Sequence, residues 1–159
     1  MADLRAFMEA LGFTSVNTLL QTGNVVFDAT GTPRALEARL EREAAARLGL
    51  STDFHVRTDR EWRKAIAANP FPREADDDPS HLVLVSLKAP VTAVRVKALR
   101  AAIRGPERVE ANGRHAYIVY PAGIGTSKLT AAVIDAKLGT RGTARNWNTV
   151  RKLEMLIGG

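Results

Sequence analysis

The sequence predicts an α+β protein: two ferredoxin-like α/β subdomains side by side, the first lacking its initial strand. Three observations predict it. Signals for helix, hairpin and helix follow one another in that order twice. Each hairpin signal is a Gly/Asn turn between β-prone runs, Gln21-Thr22-Gly23-Asn24 and then Ala111-Asn112-Gly113-Arg114. Between the copies lies a polar stretch at 73–80, Arg-Glu-Ala-Asp-Asp-Asp-Pro-Ser, and the charge changes sign across it. The repeat is one of element order, not of sequence, and only the second copy shows a strand in front.

The first helix rests on Leu4, Phe7, Met8 and Leu11, spaced as one buried face. Asp3 can cap it and Gly12 can end it. Val16–Leu20 and Val25–Phe27 form the first hairpin. Pro33 suits the first turn of a second helix, which Leu36, Leu40, Ala44 and Leu48 line and Gly49 closes. Phe54–Arg57 reads as a short strand and Asp59–Ala68 as a helix stopped by Asn69-Pro70-Phe71-Pro72. The expected organisation is therefore a subdomain at 1–72, a linker at 73–80 and a basic subdomain at 81–159.

In that second part His81–Leu87 is a strand, and Val91–Ile103 a helix with Val94, Ala98, Ala101 and Ala102 near one side. Arg108–Glu110 and His115–Tyr120 make the second hairpin. A glycine loop at 121–126, a helix at about 127–138, a turn at Gly139–Gly142 and a last helix from about Thr143 complete the chain.

Composition narrows the function. The chain has no cysteine, which excludes disulfides, thiolate metal sites and cysteine nucleophiles and fits a cytoplasmic protein. No apolar run approaches the length needed to span a bilayer. The first residues carry Asp3 and Glu9, so they do not read as a signal peptide. Residues 1–79 hold 10 Lys+Arg against 13 Asp+Glu, and residues 80–159 hold 13 against 4. Net charges of −3 and +9 suggest different partners for the two halves. The plain alternative is a run of arginines on solvated faces. The acidic residues Asp76–Asp78 are adjacent, so they read as loop and no metal site is expected.

Two segments carry a family resemblance. One is Gly12-Phe13-Thr14-Ser15-Val16-Asn17-Thr18-Leu19-Leu20-Gln21-Thr22-Gly23-Asn24-Val25-Val26-Phe27. The other runs from Tyr120-Pro121-Ala122-Gly123-Ile124-Gly125-Thr126-Ser127-Lys128-Leu129 to Thr143-Ala144-Arg145-Asn146-Trp147-Asn148-Thr149-Val150-Arg151-Lys152-Leu153. Together they resemble the bacterial family known as domain of unknown function 1697. The resemblance implies a bacterial, cytoplasmic protein of two α/β subdomains with no established activity. It also implies a strand and glycine-containing loop upstream of Met1. In a ferredoxin-like unit that strand is central, flanked here by 25–27 and 54–57, so the natural chain is expected to start further upstream.

Three constellations can carry chemistry. Gly123, Gly125, Thr126, Ser127 and Lys128 sit between a strand and a helix. With Thr126 or Ser127 as cap and Lys128 in the first turn, free amides would meet an anion; the alternative is a tight turn with a cap. The Gly-Lys-Ser/Thr ending of a phosphate-binding P-loop is absent. Arg145, Asn146 and Asn148 are expected to point back at that loop, where they suit phosphate or base edges, while Trp147 anchors the helix to the core. Gln21 and Asn24 form a polar hairpin tip that either faces a cleft or simply makes the turn. His55, His81 and His115 show no metal-ligand spacing.

These features point to a protein binding an anionic ligand, a nucleotide or a nucleic acid, through the C-terminal glycine loop and basic helix, with no cofactor. The alternatives are a small enzyme acting on a phosphorylated metabolite in an inter-lobe cleft, and a protein-interaction module. Aromatic residues are only 6% of the chain, too few for a base-stacking platform.

Overall fold

The computed structural model describes residues 2–19 and 23–158. It is an α+β protein with two antiparallel sheets, one of two strands and one of four. The chain divides into two compact units, Met1–Trp62 with Arg151–Gly159, and Arg63–Val150. The division therefore does not fall at 73–80. The charge asymmetry persists: the second unit holds 14 Lys+Arg against 7 Asp+Glu, net +7, and the first holds 9 against 10, net −1.

In the first unit α1 (Ala2–Ala10) leads into β1 (Thr14–Leu19), which pairs antiparallel with β2 (Asn24–Asp28). Asp3 lies inside α1 and not ahead of it. Gly12 breaks the helix in the left-handed region at φ 91°, where a side chain would be strained. Phe7, Met8 and Leu11 are buried as their spacing predicts, against Phe13, Val16, Leu40 and Ala44. The last two come from α2 (Pro33–Leu48), which Thr32 caps by accepting from the Ala35 amide and Gly49 ends at φ 62°. Leu48, expected on the same side, is half exposed.

One expectation fails here. Phe54–Arg57 forms no strand. Its backbone bonds go to a helix instead: the Phe54 and Val56 amides donate to Glu41 and Glu37 carboxylates at 2.8 and 2.7 Å. Carboxylates on α2 thus take the place of a neighbouring strand as acceptors. The segment also does not pair with β2, whose partner is β1.

α3 (Asp59–Ala67) starts with a capping box: the Glu61 amide donates to the Thr58 hydroxyl, and the Thr58 amide to the Glu61 carboxylate. The expected linker is also structured. α4 (Pro72–Asp77) covers most of it, followed by a 3-10 turn at Pro79–His81. Its anchors are distant in sequence, which is why the local pattern did not reveal it. Phe71 and Ala75 are buried, Glu74 pairs with Arg108, and the Arg108 guanidinium lies 5.2 Å from the Phe71 ring centre.

The second unit continues as β3 (Leu82–Leu87), α5 (Ala93–Ala102), β4 (Arg108–Asn112), β5 (His115–Val119), α6 (Ala131–Leu138) and β6 (Gly142–Asn146), before α7 (Trp147–Gly158). The strands run in the order β4-β5-β3-β6, all antiparallel. Each helix crossover therefore straddles one strand, the split β-α-β arrangement. β3 is buried along its whole length. On one face Val83, Val85 and Leu87 join Ile118 and Tyr120 against Val96 and Leu99 of α5 and Ile134 and Leu138 of α6. On the other face, Tyr117 donates its hydroxyl to the Ala65 carbonyl of α3 at 2.5 Å.

The side of α5 carrying Val94 and Ala98 faces outward, opposite to Val96 and Leu99. β6 replaces the first turn of the expected last helix. Gly-Thr-Ala-Arg-Asn has no apolar alternation, because it is an edge strand that draws its order from β3. Gly142 is required there: an added Cβ would lie 2.8 Å from Leu87 Cδ2 and from Val85 Cγ1. Gly142→Ala should cost about 1–3 kcal/mol through overpacking. Urea melts of the purified variant check this, and an unchanged midpoint would mean the strand is not held so closely.

The two buried tyrosines give a pH signature. Burial pushes both phenols up to about 12, and Glu107 adds to the shift at Tyr120. An unfolded tyrosine titrates near pH 10. A raised folded value means that stability is intact below the unfolded value and is lost as pH rises toward the folded one. Stability should therefore fall between about pH 10 and 12. Tyr117→Phe should flatten part of that slope, measured by denaturant melts across the range.

Candidate functional site

The glycine loop folds differently from a helix-terminus anion site. Its turns are closed by the chain's own carbonyls. The Gly123 amide donates to Tyr120 O at 2.9 Å, and the Ser127 amide to Ile124 O at 3.2 Å. Ser127 Oγ accepts from the Leu129 amide, and Thr126 Oγ1 donates to Ala122 O at 3.5 Å. Gly123 is left-handed at φ 92°, while Gly125 is not.

The helix starts only at Ala131, capped by Thr130, whose hydroxyl accepts from the Val133 amide. Thr126 and Ser127 are therefore not its caps, and Lys128 precedes its first turn. The cause is Leu129. Its side chain is buried in the core and its carbonyl accepts from the Tyr120 hydroxyl at 3.0 Å, which pins the chain before the helix can begin.

The other expected residues also have local tasks. Arg145 lies on β6, and its Nη1 donates to Thr143 Oγ1 at 2.9 Å and Ala144 O at 2.8 Å. Desolvation lowers its pKa from the ordinary arginine value. Asn146 ends the strand and accepts from the Thr149 amide, opening α7. Asn148 is exposed, and Trp147 is buried as expected. Asn24 is buried and donates to Leu19 O, a hairpin bond. Gln21 lies outside the described residues. Topology does bring the loop and the Asn146–Asn148 segment to one end of the sheet. Val119 pairs with Leu82 and Asn146 with Val83, so β5 and β6 both end where β3 begins.

At that end sits a pair the sequence reading passed over. His81 Nδ1 lies 2.9 Å from Asp78 Oδ2. A Cβ on Gly123 would lie 4.0 Å from His81 Nε2, so the other ring nitrogen faces the loop. The readable signal was Asp78 three residues before His81, across a proline. Among the described residues no three His, Asp or Glu side chains are placed to hold a metal ion.

The clearest gathering of free charge is elsewhere in this unit. α5 and α6 pack side by side on the sheet, and a groove of about 500 Å³ runs along them. Ala98, Ala101, Ala102 and Val133 line it, and Arg104, Lys128 and Lys137 stand around it. Arg104 lies just past the end of α5, Lys128 three residues ahead of α6, and Lys137 in the last turn of α6. Eight residues at about 1.5 Å each make that helix roughly 12 Å long. None of the three cationic side chains makes a hydrogen bond or ion pair among the described residues. Only Lys128 was singled out in the sequence. Arg104 and Lys137 belong to separate elements, and only the packing of α5 on α6 unites them.

The model of the protein family of unknown function DUF1697 matches residues 1–117. The chain belongs to this family. The match includes the first of the two resembling segments and ends before the second. No curated protein matches the chain. Among solved structures, the conserved bacterial protein SP0830 from Streptococcus pneumoniae superposes with a TM-score of 0.75. It is 16% identical, and the alignment covers 99% of this chain and 88% of that one. The DUF1697 chain and that protein share an α+β fold. Among the described residues no helix is long and apolar enough to cross a membrane.

Proposed function

We propose that this DUF1697 protein binds an extended anionic ligand of the nucleotide class in the α5–α6 groove of its basic unit. One observation carries the reading: three unpaired cations, Arg104, Lys128 and Lys137, surround a floor of small apolar side chains. Cations spread along the groove suit phosphates, and a floor of alanines admits a flat apolar body. The volume, about 500 Å³, is in the range of small-molecule sites. Lys128 keeps its expected part in anion binding, through side-chain charge and not through the helix terminus.

A nucleic-acid partner held on the sheet is less well supported. β3 is buried along its whole length, so the sheet centre offers no open face for base stacking.

The test is a thermal-shift and calorimetry series with ADP, ATP, pyrophosphate, adenosine and a short oligonucleotide. Nucleotides are expected to raise the melting temperature and adenosine alone to do so little. Replacing Lys128 and Arg104 together by alanine should weaken nucleotide binding by roughly a hundredfold or more, since each charge-assisted bond contributes about 1.5–3 kcal/mol. Tight oligonucleotide binding that collapses steeply with salt would favour nucleic acid instead. If nucleotides bind the doubly substituted protein as well as the natural one, the groove is not the site.

A further inference from the structure

The first unit holds a second, chemically different pocket. It has a volume of about 360 Å³, and Phe13, Thr14, Asp28, Thr30 and Arg39 are among its lining residues. Its two charges are opposite and are not joined. Asp28 is exposed, and its side chain makes no hydrogen bond or ion pair among the described residues.

Arg39 is held from behind. Its Nη2 donates to the Leu11 carbonyl at 2.7 Å, and its guanidinium carbon lies 4.9 Å from the Phe13 ring centre. Phe13 is itself buried, edge-on to Phe27 at 4.9 Å. Glu43, one turn along α2, feels the Arg39 charge but bonds Arg47 at 2.8 Å. A guanidinium has five N–H donors, and the Leu11 bond uses one. Arg39 is thus a positioned cation with donors to spare.

The opposite wall is also fixed. Thr14 and Asp28 are cross-strand partners at the end of the hairpin. The register is irregular between Thr14 and Asn17, and there Ser15 sits in the left-handed region at φ 52°, the one non-glycine residue with positive φ among those described. That conformation costs an L-residue roughly 1–2 kcal/mol. Strain of this kind gathers at ligand clamps, and bulges re-aim side chains beside sites.

A pocket with a preorganised cation, a free carboxylate, two threonine hydroxyls and an aromatic wall complements a ligand that carries both charges itself. We infer that it binds a small zwitterion of the α-amino-acid class. The ligand carboxylate takes the Arg39 guanidinium, and its ammonium takes Asp28 with a threonine hydroxyl. This site lies in a different unit from the nucleotide groove and stands or falls independently of it.

The experiment is calorimetry on the full chain with free amino acids, their N-acetyl derivatives and their amides. Free amino acids should bind, and capping either end should weaken binding by roughly tenfold or more, the loss of one charge-assisted bond. Asp28→Asn, at an exposed position, should keep the fold and lose the preference for a free ammonium. Arg39→Lys should keep the charge, lose the planar fork and bind more weakly. Absence of binding by any free amino acid at millimolar concentration would overturn the inference. So would equal binding of the capped derivatives, or an Asp28→Asn protein that binds amino acids as the natural one does.

Discussion

Trp147→Ala should destabilise the second unit by about 3–5 kcal/mol, as deleting a large buried aromatic does. Trp147 is 2% exposed and is the first residue of α7, directly after the edge strand β6. The indole lies at the point where Asn146 turns the chain from strand to helix by accepting the Thr149 amide. Losing it removes apolar burial and leaves a cavity that the turn cannot collapse into without breaking that bond. The denaturation midpoint, followed by circular dichroism, should fall while the slope stays the same. Trp147→Phe should recover part of the loss. A cost below about 1 kcal/mol would place Trp147 among ordinary surface positions.

Glu37→Ala should have an effect of similar size in the first unit. The Glu37 and Arg57 side chains are 6% and 4% exposed and lie 3.5 Å apart. Glu37 also accepts the Val56 amide at 2.7 Å. The alanine removes a carboxylate from beside a buried guanidinium and an acceptor from a backbone amide at once. Breaking a buried pair from one side costs about 3–5 kcal/mol. Glu37→Gln keeps an acceptor for Val56 and should cost less. A double-mutant cycle with Arg57→Ala should show strong coupling. Additive losses would mean that the two side chains act separately.

The same residues show what was legible in the sequence. Helices with a strong apolar period, such as α1 through Phe7 and Met8, could be read directly, as could hairpins marked by Gly23 and Gly113. The elements that were missed draw their order from partners far along the chain. α4 depends on Arg108, the 54–57 segment on Glu37 and Glu41, and β6 on β3. No local period records such bonds.

The site followed the same rule. Lys128 was visible because a glycine loop precedes it, but the reading gave its charge to a helix terminus that starts three residues later. The alanines of α5 looked like a packing face and instead line an open groove. Arg104 and Lys137 have no sequence motif at all, because their meaning is purely spatial.

The most direct test of the groove is an amide chemical-shift titration of the full chain with ADP. Perturbations are expected at Ala98–Arg104, Lys128–Val133 and Lys137, saturating together. Saturating shifts confined to the 123–127 loop and Asn146–Asn148, or an absence of saturating shifts anywhere, would contradict the groove assignment.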